Sequence, residues 1–170
     1  MGKVLQVVGY QNSGKTTFVA DYIKMAVEQG LKVGTIKHHG HPGAIDISDH
    51  KKDTGKHRQA GAYVSVVEGN GSVILTSEQA SLSLVQLLSL YSQFQLDVIV
   101  VEGYKAAGYP KVVLIRSLDD IKILEDVVNV SCVISRVALP ESITEEYRCF
   151  TNYFEGIKWL LTNKVGEIID

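Results

Sequence analysis

The sequence predicts an α/β fold in which a mostly parallel sheet carries helices on both faces, with a β-hairpin added. Short apolar runs alternate with segments of helical period along the chain, a pattern typical of parallel sheets. The run at 96–103, "LDVIVVEG", is almost continuously apolar, as expected for a strand covered on both sides. Two β-rich runs flank Gly-Asn-Gly at 69–71, which indicates the hairpin.

The N-terminal half divides into clear elements. Strands are predicted at 3–8 and 31–37, with an amphipathic helix at 16–29 between them. A long polar loop follows over 38–61, with one helical turn near 56–60. The hairpin strands are expected at 62–68 and 72–76. Thr76 and Gln79 then predict a capping box, and the helix after it carries one apolar face of Leu84, Leu87, Leu88 and Tyr91.

The C-terminal half continues the alternation of strand and helix. Strands are predicted at 112–116, 128–135 and 147–151, with a short helix at 118–126. Asn152 is a candidate N-cap for a final helix, because an asparagine side chain can accept a hydrogen bond from a free amide of the first turn. These elements predict a single domain that spans 1–170.

Composition limits the classes of partner. The chain is 45% hydrophobic and 21% charged with a net charge of −2, which is ordinary for a soluble globular protein. This charge argues against a broad electrostatic surface for nucleic acid or anionic lipid. No run of about 18 apolar residues and no signal-peptide pattern occurs, so we expect a cytoplasmic protein. Cys132 and Cys149 lack a CxxC spacing, and we expect reduced thiols.

The motif "GYQNSGKT" at 9–16 matches G-x-x-x-x-G-K-[ST] between a predicted strand and a predicted helix. Gly9 and Gly14 let backbone amides turn inward around a phosphate, and the helix N-terminus adds free donors and a positive dipole. Lys15 would place its ammonium near the β- and γ-phosphates, and the Thr16 hydroxyl would bind Mg²⁺. The sequence therefore predicts a nucleoside triphosphate site in a three-layer, P-loop NTPase-like fold.

An acidic partner for the magnesium is expected at the end of a neighbouring buried strand. Glu102 closes the run "DVIVVE", and Gly103 allows a sharp turn after it. Its carboxylate would act on Mg²⁺ through a water or orient the attacking water. Asp97 begins the same strand, so we expect it at the opposite edge of the sheet.

The polar loop leaves several interpretations open. His38, His39 and His41 resemble a metal-binding tract, which keeps a GTP-dependent nickel or zinc metallochaperone as an alternative. A small-molecule kinase is a further alternative, although the late sequence offers only Arg136 and Arg148 for an arginine-bearing lid. The other charged candidates, for magnesium and phosphate, are Asp46, Asp49, Asp53, Lys52 and Arg58.

Several motifs in one order resemble the MobB family, the molybdopterin-guanine dinucleotide biosynthesis adapter proteins. They are "GYQNSGKTT", "TIKHHGH", "KDTGKHRQAGA" at 52–62, "DVIVVEGYK" at 97–105 and "KVVLIR" from Lys111. Order and spacing agree over roughly the first 116 residues. Beyond them the likeness lies only in the rhythm of strands and helices.

The resemblance implies a GTP site with Mg²⁺ held by Thr16 and Glu102. It implies that Lys52, Asp53 and Thr54 form a switch-like loop near the γ-phosphate, and that catalytic roles fall to Lys15, Asp53 and Glu102. The binding residues it implies are Gly9, Tyr10, Gln11, Asn12, Ser13, Gly14, Lys15, Thr16, Thr17, Lys52, Asp53, Thr54 and Gly103.

The resemblance also implies an accessory role with at most slow GTP hydrolysis. Such a protein assists a MobA-like nucleotidyltransferase that joins GMP to molybdopterin, and it forms a homodimer with the hairpin region as a contact. One feature departs from many related GTPases: where they carry N-K-x-D, this chain reads "ISRVALPE" at 134–141. A preference for guanine therefore rests on the resemblance.

Overall fold

The computed structural model describes residues 2–40, 52–77 and 80–169. The chain divides into two compact units, one made of 1–40 with 87–170 and a smaller one made of 41–86. Each unit is described by itself, and the prediction of a single domain stays a prediction. No helix in the described ranges is both long and apolar enough to cross a lipid bilayer.

The strands agree with the predicted ones in number and order, apart from one at the C-terminus that the sequence did not predict. Within the described residues they are β1 (Lys3–Val8), β2 (Val33–Lys37), β3 (Ser65–Gly69), β4 (Ser72–Thr76), β5 (Val98–Glu102), β6 (Lys111–Ile115), β7 (Val130–Ser135), β8 (Cys149–Phe150) and the additional β9 (Glu167–Ile168). Seven of them form the sheet of the larger unit in the order β2-β5-β1-β6-β7-β8, with β9 paired to β1. All neighbours are parallel except β9, which runs antiparallel to β1.

Helices follow most of the strands. They are α1 (Lys15–Glu28), α2 (Asp53–Gln59), α3 (Leu84–Leu90), α4 (Ile123–Asp126), α5 (Glu141–Glu146) and α6 (Tyr153–Thr162), with 3-10 segments at Tyr91–Phe94 and Leu118–Lys122. The predicted helix at 118–126 is thus a 3-10 turn that continues as α4. The predicted cap of the last helix is confirmed, since Oδ1 of Asn152 accepts a hydrogen bond of 3.0 Å from the amide of Phe154.

Successive residues of each strand point to opposite faces of the large sheet, and a hydrophobic core lies against each face. On one face, Val7 packs with Phe18 of α1 and Ile157 of α6. On the other face, Val8 and Val113 pack with Ile123 of α4. Each fully buried aliphatic side chain contributes roughly 1.5–3 kcal/mol relative to exposure. The predicted arrangement of helices on both faces of a mostly parallel sheet is confirmed.

The parallel register places the carboxyl ends of the strands at one edge of the sheet. Glu102, the last residue of β5, lies beside Val7 of β1 and Lys37 of β2, and Ile115 of β6 lies beside Ser135 of β7. Asp97 precedes β5 and lies at the opposite edge, as predicted. There its Oδ2 accepts a hydrogen bond of 2.7 Å from the amide of Lys32.

The smaller unit contains the predicted hairpin. Strands β3 and β4 pair from Ser65–Thr76 to Gly69–Ser72, and positive φ angles of 49° at Asn70 and 77° at Gly71 close the turn. Helix α2 is longer than the single turn predicted at 56–60. Asp53 in its first turn complements the helix dipole and forms a 3.2 Å ion pair with Lys56.

The capping box predicted at Thr76 and Gln79 is wrong. Thr76 is the last residue of β4, and the next helix, α3, begins only at Leu84; Gln79 lies outside the described residues. The reciprocal bonds occur at Ser83 and Gln86 instead. The amide of Gln86 donates to Oγ of Ser83 at 3.3 Å, and the amide of Ser83 donates to Oε1 of Gln86 at 2.9 Å.

Candidate functional site

The loop between β1 and α1 requires its glycines. A Cβ atom on Gly9 would lie 2.5 Å from Oγ of Ser13 and 2.9 Å from the carbonyl oxygen of Leu114, which leaves no room for a side chain. Gly14 has φ 94° and Asn12 has φ 62°, both in the left-handed region that reverses the chain. The loop therefore presents its backbone amides at the N-terminus of the 14-residue helix α1, a geometry that binds anions.

The ammonium of Lys15 lies across this loop. It donates hydrogen bonds to the carbonyl oxygens of Gly9 at 3.0 Å and Tyr10 at 2.7 Å, with Oγ of Ser13 at 3.5 Å. Burial lowers the pKa of Lys15, the carboxylate of Glu102 acts in the opposite direction, and the ammonium groups of Lys105 and Lys37 lower the pKa further. The Lys15 charge is therefore only partly compensated and would be stabilised by an anion in the loop.

Thr16 and Glu102 meet at the carboxyl edge of the sheet. The Thr16 hydroxyl lies 3.5 Å from Oε1 of Glu102, and Nζ of Lys37 forms a 3.3 Å ion pair with the same oxygen. The Glu102 side chain is only 12% exposed, whereas that of Lys37 is 59% exposed. Lys37 therefore holds a largely buried carboxylate against the first turn of α1.

Hydrogen bonds from two buried side chains of neighbouring strands hold the backbone segment that follows β5. Gly103 has φ 98°, and a Cβ atom there would lie 3.1 Å from Cβ of His38. Nε2 of the buried Gln6 donates to the carbonyl oxygens of Gly103 at 3.0 Å and Tyr104 at 2.9 Å. The fully buried Lys111 donates to the carbonyl oxygens of Ala107 and Tyr109, the latter at 2.9 Å. These bonds fix the backbone that follows Glu102.

The remaining predicted loop residues differ in exposure. Gln11, Asn12 and Thr17 are exposed, and Ser13 is buried. Tyr10 is half-buried, and Nζ of Lys105 lies 4.2 Å from the centre of its ring. The structure thus brings the glycine loop, Lys15, Thr16, Glu102 and Gly103 together in the larger unit.

The other predicted residues lie elsewhere. Lys52, Asp53 and Thr54 stand at the start of α2 in the smaller unit, so their switch-like role stays a prediction. His41, Asp46 and Asp49 lie outside the described residues, so the structure describes only His38 and His39 of the predicted metal tract. Within the described ranges, no three His, Cys, Asp or Glu side chains converge as a metal site. The ring of His38 packs against that of Tyr104 at 4.6 Å.

The cysteines are free thiols, as predicted. Burial raises the pKa of Cys132 to about 12 and also raises that of Cys149. A thiol with a raised pKa is a poor nucleophile and a poor metal ligand at neutral pH. Both cysteines therefore serve as packing groups.

The geometry brings two further residues to this region: Lys37, which the sequence analysis did not assign, and Arg136, which it considered only for an arginine-bearing kinase lid. Lys37 ends β2 directly beside Glu102, and Arg136 follows β7, where its Nη2 atom lies 2.8 Å from the position of a Cβ atom on Gly14. Both are polar residues at the carboxyl end of a parallel strand. That rule identified Glu102 and would also have identified these two once the strand order was known.

Comparison with known proteins connects this geometry to a family. Residues 4–136 match the sequence model described as molybdopterin guanine dinucleotide synthesis protein B, MobB. The chain belongs to this family. It is 42% identical over 133 residues to the probable molybdopterin-guanine dinucleotide biosynthesis adapter protein of Bacillus subtilis strain 168, covering 78% of this chain and 76% of the relative.

Solved MobB structures share the fold. The crystal structure of Bacillus subtilis MobB superposes with a TM-score of 0.76 at 35% identity, over 94% of this chain and 96% of that one. The MobB homologue from Bacillus stearothermophilus gives a TM-score of 0.75 at 34% identity with the same coverage. The predicted P-loop NTPase-like fold and the resemblance to MobB are therefore confirmed.

Proposed function

We propose that this chain is a GTP-binding adapter of molybdopterin-guanine dinucleotide biosynthesis with at most slow GTPase activity. The main support for GTP binding is that Lys15, Thr16 and Glu102 converge on a loop of backbone amides at a helix N-terminus. Membership of the MobB family supplies the pathway, since the Bacillus subtilis relative bears the name of a probable adapter protein of this biosynthesis.

Phosphate binding follows from the groups that face the loop. The amides of the loop and of the first turn of α1 donate to phosphate oxygens. Lys15 exchanges its bonds to the carbonyl oxygens of Gly9 and Tyr10 for bonds to the β- and γ-phosphates. The ammonium then faces ionised phosphate oxygens instead of neutral carbonyl oxygens, so the exchange favours the nucleotide.

The donor set fits magnesium. The Thr16 hydroxyl and the Glu102 carboxylate are hard oxygen donors 3.5 Å apart, the ligand type that Mg²⁺ selects. Thr16 would hold the ion directly and Glu102 through a water. When bound, Mg²⁺ neutralises charge on the phosphates. Glu102 also orients the attacking water, and Lys37 keeps its carboxylate in place.

Turnover is expected to be slow. The predicted motifs contain no arginine finger, and the loss of one costs about 10³–10⁵ in rate. An adapter does not need fast hydrolysis to hold a nucleotide or to change its contacts with a partner. The partner in this proposal is a MobA-like nucleotidyltransferase acting on molybdopterin in the cytoplasm.

A homodimer through the hairpin completes the proposal. Both faces of the hairpin expose apolar side chains, because Val66 pairs with Leu75 and Val67 with Ile74; these four are 44–61% exposed. Contiguous exposed apolar surface marks an interface. A second copy would cover it with the same apolar residues about a two-fold axis, the commonest symmetry of soluble oligomers.

The test is a calorimetric titration of the full chain with GTP and with ATP, each with Mg²⁺. We expect GTP binding by the wild type and a loss of at least about 100-fold in affinity for Lys15→Ala, because charge-assisted contacts to phosphate are lost. Lys24→Ala, on the exposed side of α1, is the matched control and should bind as the wild type does. A wild type that binds no nucleoside triphosphate, or equal binding by Lys15→Ala, would overturn the proposal.

A further inference from the structure

A cavity of about 60 Å³ opens beside the glycine loop in the larger unit. One wall is formed by Ser13, Gly14, Thr17 and Phe18 at the start of α1. The opposite wall is formed by residues that follow β7 and β8, among them Arg136 and Thr151. The cavity thus shares its Gly14 wall with the phosphate loop.

The sheet order places this cavity on the side of the loop away from Glu102. Strand β5, which ends at Glu102, lies on one side of β1, and β6, β7 and β8 lie on the other. A nucleotide in the loop would direct its magnesium-bound γ-phosphate toward Thr16 and Glu102. Its nucleoside would therefore extend toward the cavity.

We propose that this open cavity receives one edge of the purine base and that Arg136 selects guanine, an assignment that rests on the proposed function. The guanidinium lies against the backbone of Gly14, and its Nη2 atom is 2.8 Å from the position that a Cβ atom would occupy if Gly14 had a side chain. No hydrogen bond or ion pair joins this guanidinium to another described residue. Its donors are therefore available to a ligand.

The turn that carries Arg136 is built by a buried polar residue. Ser135 is 2% exposed; its hydroxyl donates to the carbonyl oxygen of Val137 at 2.7 Å and accepts from the amide of Val137 at 3.1 Å. The amide of Arg136 donates to the carbonyl oxygen of Ile115 at 3.0 Å. These bonds fix the backbone on both sides of Arg136, so its side chain projects from a fixed position at the edge of the cavity.

The chemistry of the guanidinium favours guanine over adenine. Arginine carries only hydrogen-bond donors. Guanine presents two adjacent acceptors, N7 and O6, whereas adenine presents the acceptor N7 beside the N6 amino donor. Phe18 and Ile134 supply apolar surface for the ring. The hydroxyl of Tyr153 already donates to Oδ2 of Asp21 at 2.9 Å, so Tyr153 contributes its ring.

The experiment measures the affinity of GTP, ITP, ATP and inorganic triphosphate, each with Mg²⁺, for the wild type and Arg136→Gln. ITP keeps O6 and N7 but lacks the 2-amino group of guanine. The wild type should bind GTP and ITP with similar affinity and ATP more weakly. Arg136→Gln should lose roughly tenfold or more of this preference for GTP over ATP, with inorganic triphosphate bound as tightly as before.

Arg148→Gln is the matched control, because the Arg148 guanidinium lies over the ring of Trp159 at 5.0 Å and does not line the cavity. It should keep the wild-type preference. A preference unchanged in Arg136→Gln would overturn the assignment. So would an equal loss of GTP, ATP and inorganic triphosphate, which would make Arg136 a phosphate ligand. A wild type that binds neither triphosphate nor nucleotide would instead overturn the proposed function, and this assignment with it.

Discussion

The Thr16 hydroxyl lies 3.5 Å from Oε1 of Glu102, although 86 residues separate them in the chain. Thr16 is in the first turn of α1 and Glu102 is the last residue of β5. They meet because β1 and β5 are parallel neighbours whose carboxyl ends align at Val7 and Glu102. A strand order that separated β1 from β5 would leave the phosphate loop without its carboxylate.

Replacement of Glu102 by glutamine should affect hydrolysis more than binding. The amide keeps the shape of the carboxylate but loses its charge, so it cannot accept a proton or orient water as well. We expect GTP turnover to fall on the order of 10²-fold while the affinity for GTP falls much less. Single-turnover kinetics and calorimetry separate the two effects. Glu28→Gln, at the exposed end of α1, is the control, and equal turnover by Glu102→Gln and the parent would remove Glu102 from the mechanism.

Replacement of Lys15 by methionine should abolish stabilisation by GTP without weakening the free protein. Burial lowers the pKa of Lys15, so folding disfavours its charged form. Removal of the ammonium relieves this desolvation cost but also removes its hydrogen bonds to the carbonyl oxygens of Gly9 and Tyr10, and the two effects offset each other. The thermal midpoint of the free variant should therefore change little. GTP at about 100 times its dissociation constant should stabilise the wild type by about 2.7 kcal/mol and the variant not at all. A clearly lower midpoint for the free variant would contradict this reasoning.

The same pKa predicts how GTP binding depends on pH. The affinity of the wild type should fall as pH rises toward and through the pKa of Lys15, which lies below the ordinary value of 10.5. Lys15→Arg, whose guanidinium stays charged over this range, should show no such fall at alkaline pH. Titrations from about pH 8 upward measure the difference, and parallel slopes for the two proteins would assign the titration to another group.

Alanine at Gly9 should disrupt the loop. Its Cβ atom would meet Oγ of Ser13 at 2.5 Å and the backbone oxygen of Leu114 at 2.9 Å, and the latter contact cannot be relieved by a side-chain rotation. We expect GTP affinity to fall at least tenfold and stability by about 1–3 kcal/mol. At Gly108 an added Cβ atom meets nothing within 4 Å and φ is not positive. Gly108→Ala is therefore the control and should change neither GTP affinity nor stability. Wild-type GTP affinity in Gly9→Ala would show that the loop tolerates a side chain.

Local patterns were sufficient to predict most elements and the phosphate loop. The glycines, Lys15 and Thr16 lie within one strand–turn–helix unit, so their positions follow from short-range geometry. Glu102 was found because a buried strand has a recognisable end. The capping box failed because Thr76 belongs to a β ladder with Ser65, and strand pairing there outweighed the local capping pattern.

The rest of the site depends on strand order, which no local pattern encodes. Lys37 reaches Glu102 only because β2 lies beside β5. Arg136 reaches Gly14 only because β7 lies next but one to β1 in the sheet, with β6 between them. The short strand β9 has just two residues, and its pairing with β1 is a long-range contact. Helix α5 is short and entirely polar apart from Ile143, so it lacks the apolar period that would have revealed it.

A charge in the hairpin should separate the proposed dimer. Ile74 is 61% exposed and lies on the same face as its partner Val67. Ile74→Lys would place an unpaired charge in a desolvated interface, and we expect a monomer by light scattering at concentrations where the wild type is dimeric. Glu68→Lys, which exchanges one exposed charge for another on the same hairpin, should remain dimeric. A wild type that is monomeric at high concentration would exclude the dimer.

Replacement of Lys111 by methionine should loosen the segment that follows Glu102. The Lys111 side chain is fully buried, and its ammonium donates to the carbonyl oxygens of Ala107 and Tyr109. Methionine keeps the packing but leaves both carbonyls without this donor, at a cost of about 1–3 kcal/mol. Burial also lowers the pKa of Lys111, so the removed desolvation cost offsets part of this loss, and we expect a net destabilisation of about 1–2 kcal/mol.

Denaturant unfolding measures this change, with Lys24→Met on the exposed side of α1 as the control. GTP turnover should fall more than GTP affinity, because the segment from Gly103 to Tyr109 begins directly after the Glu102 carboxylate, whereas the phosphate loop lies between β1 and α1. Unchanged stability together with unchanged turnover would mean that Gln6, through its bonds to Gly103 and Tyr104, holds this segment alone.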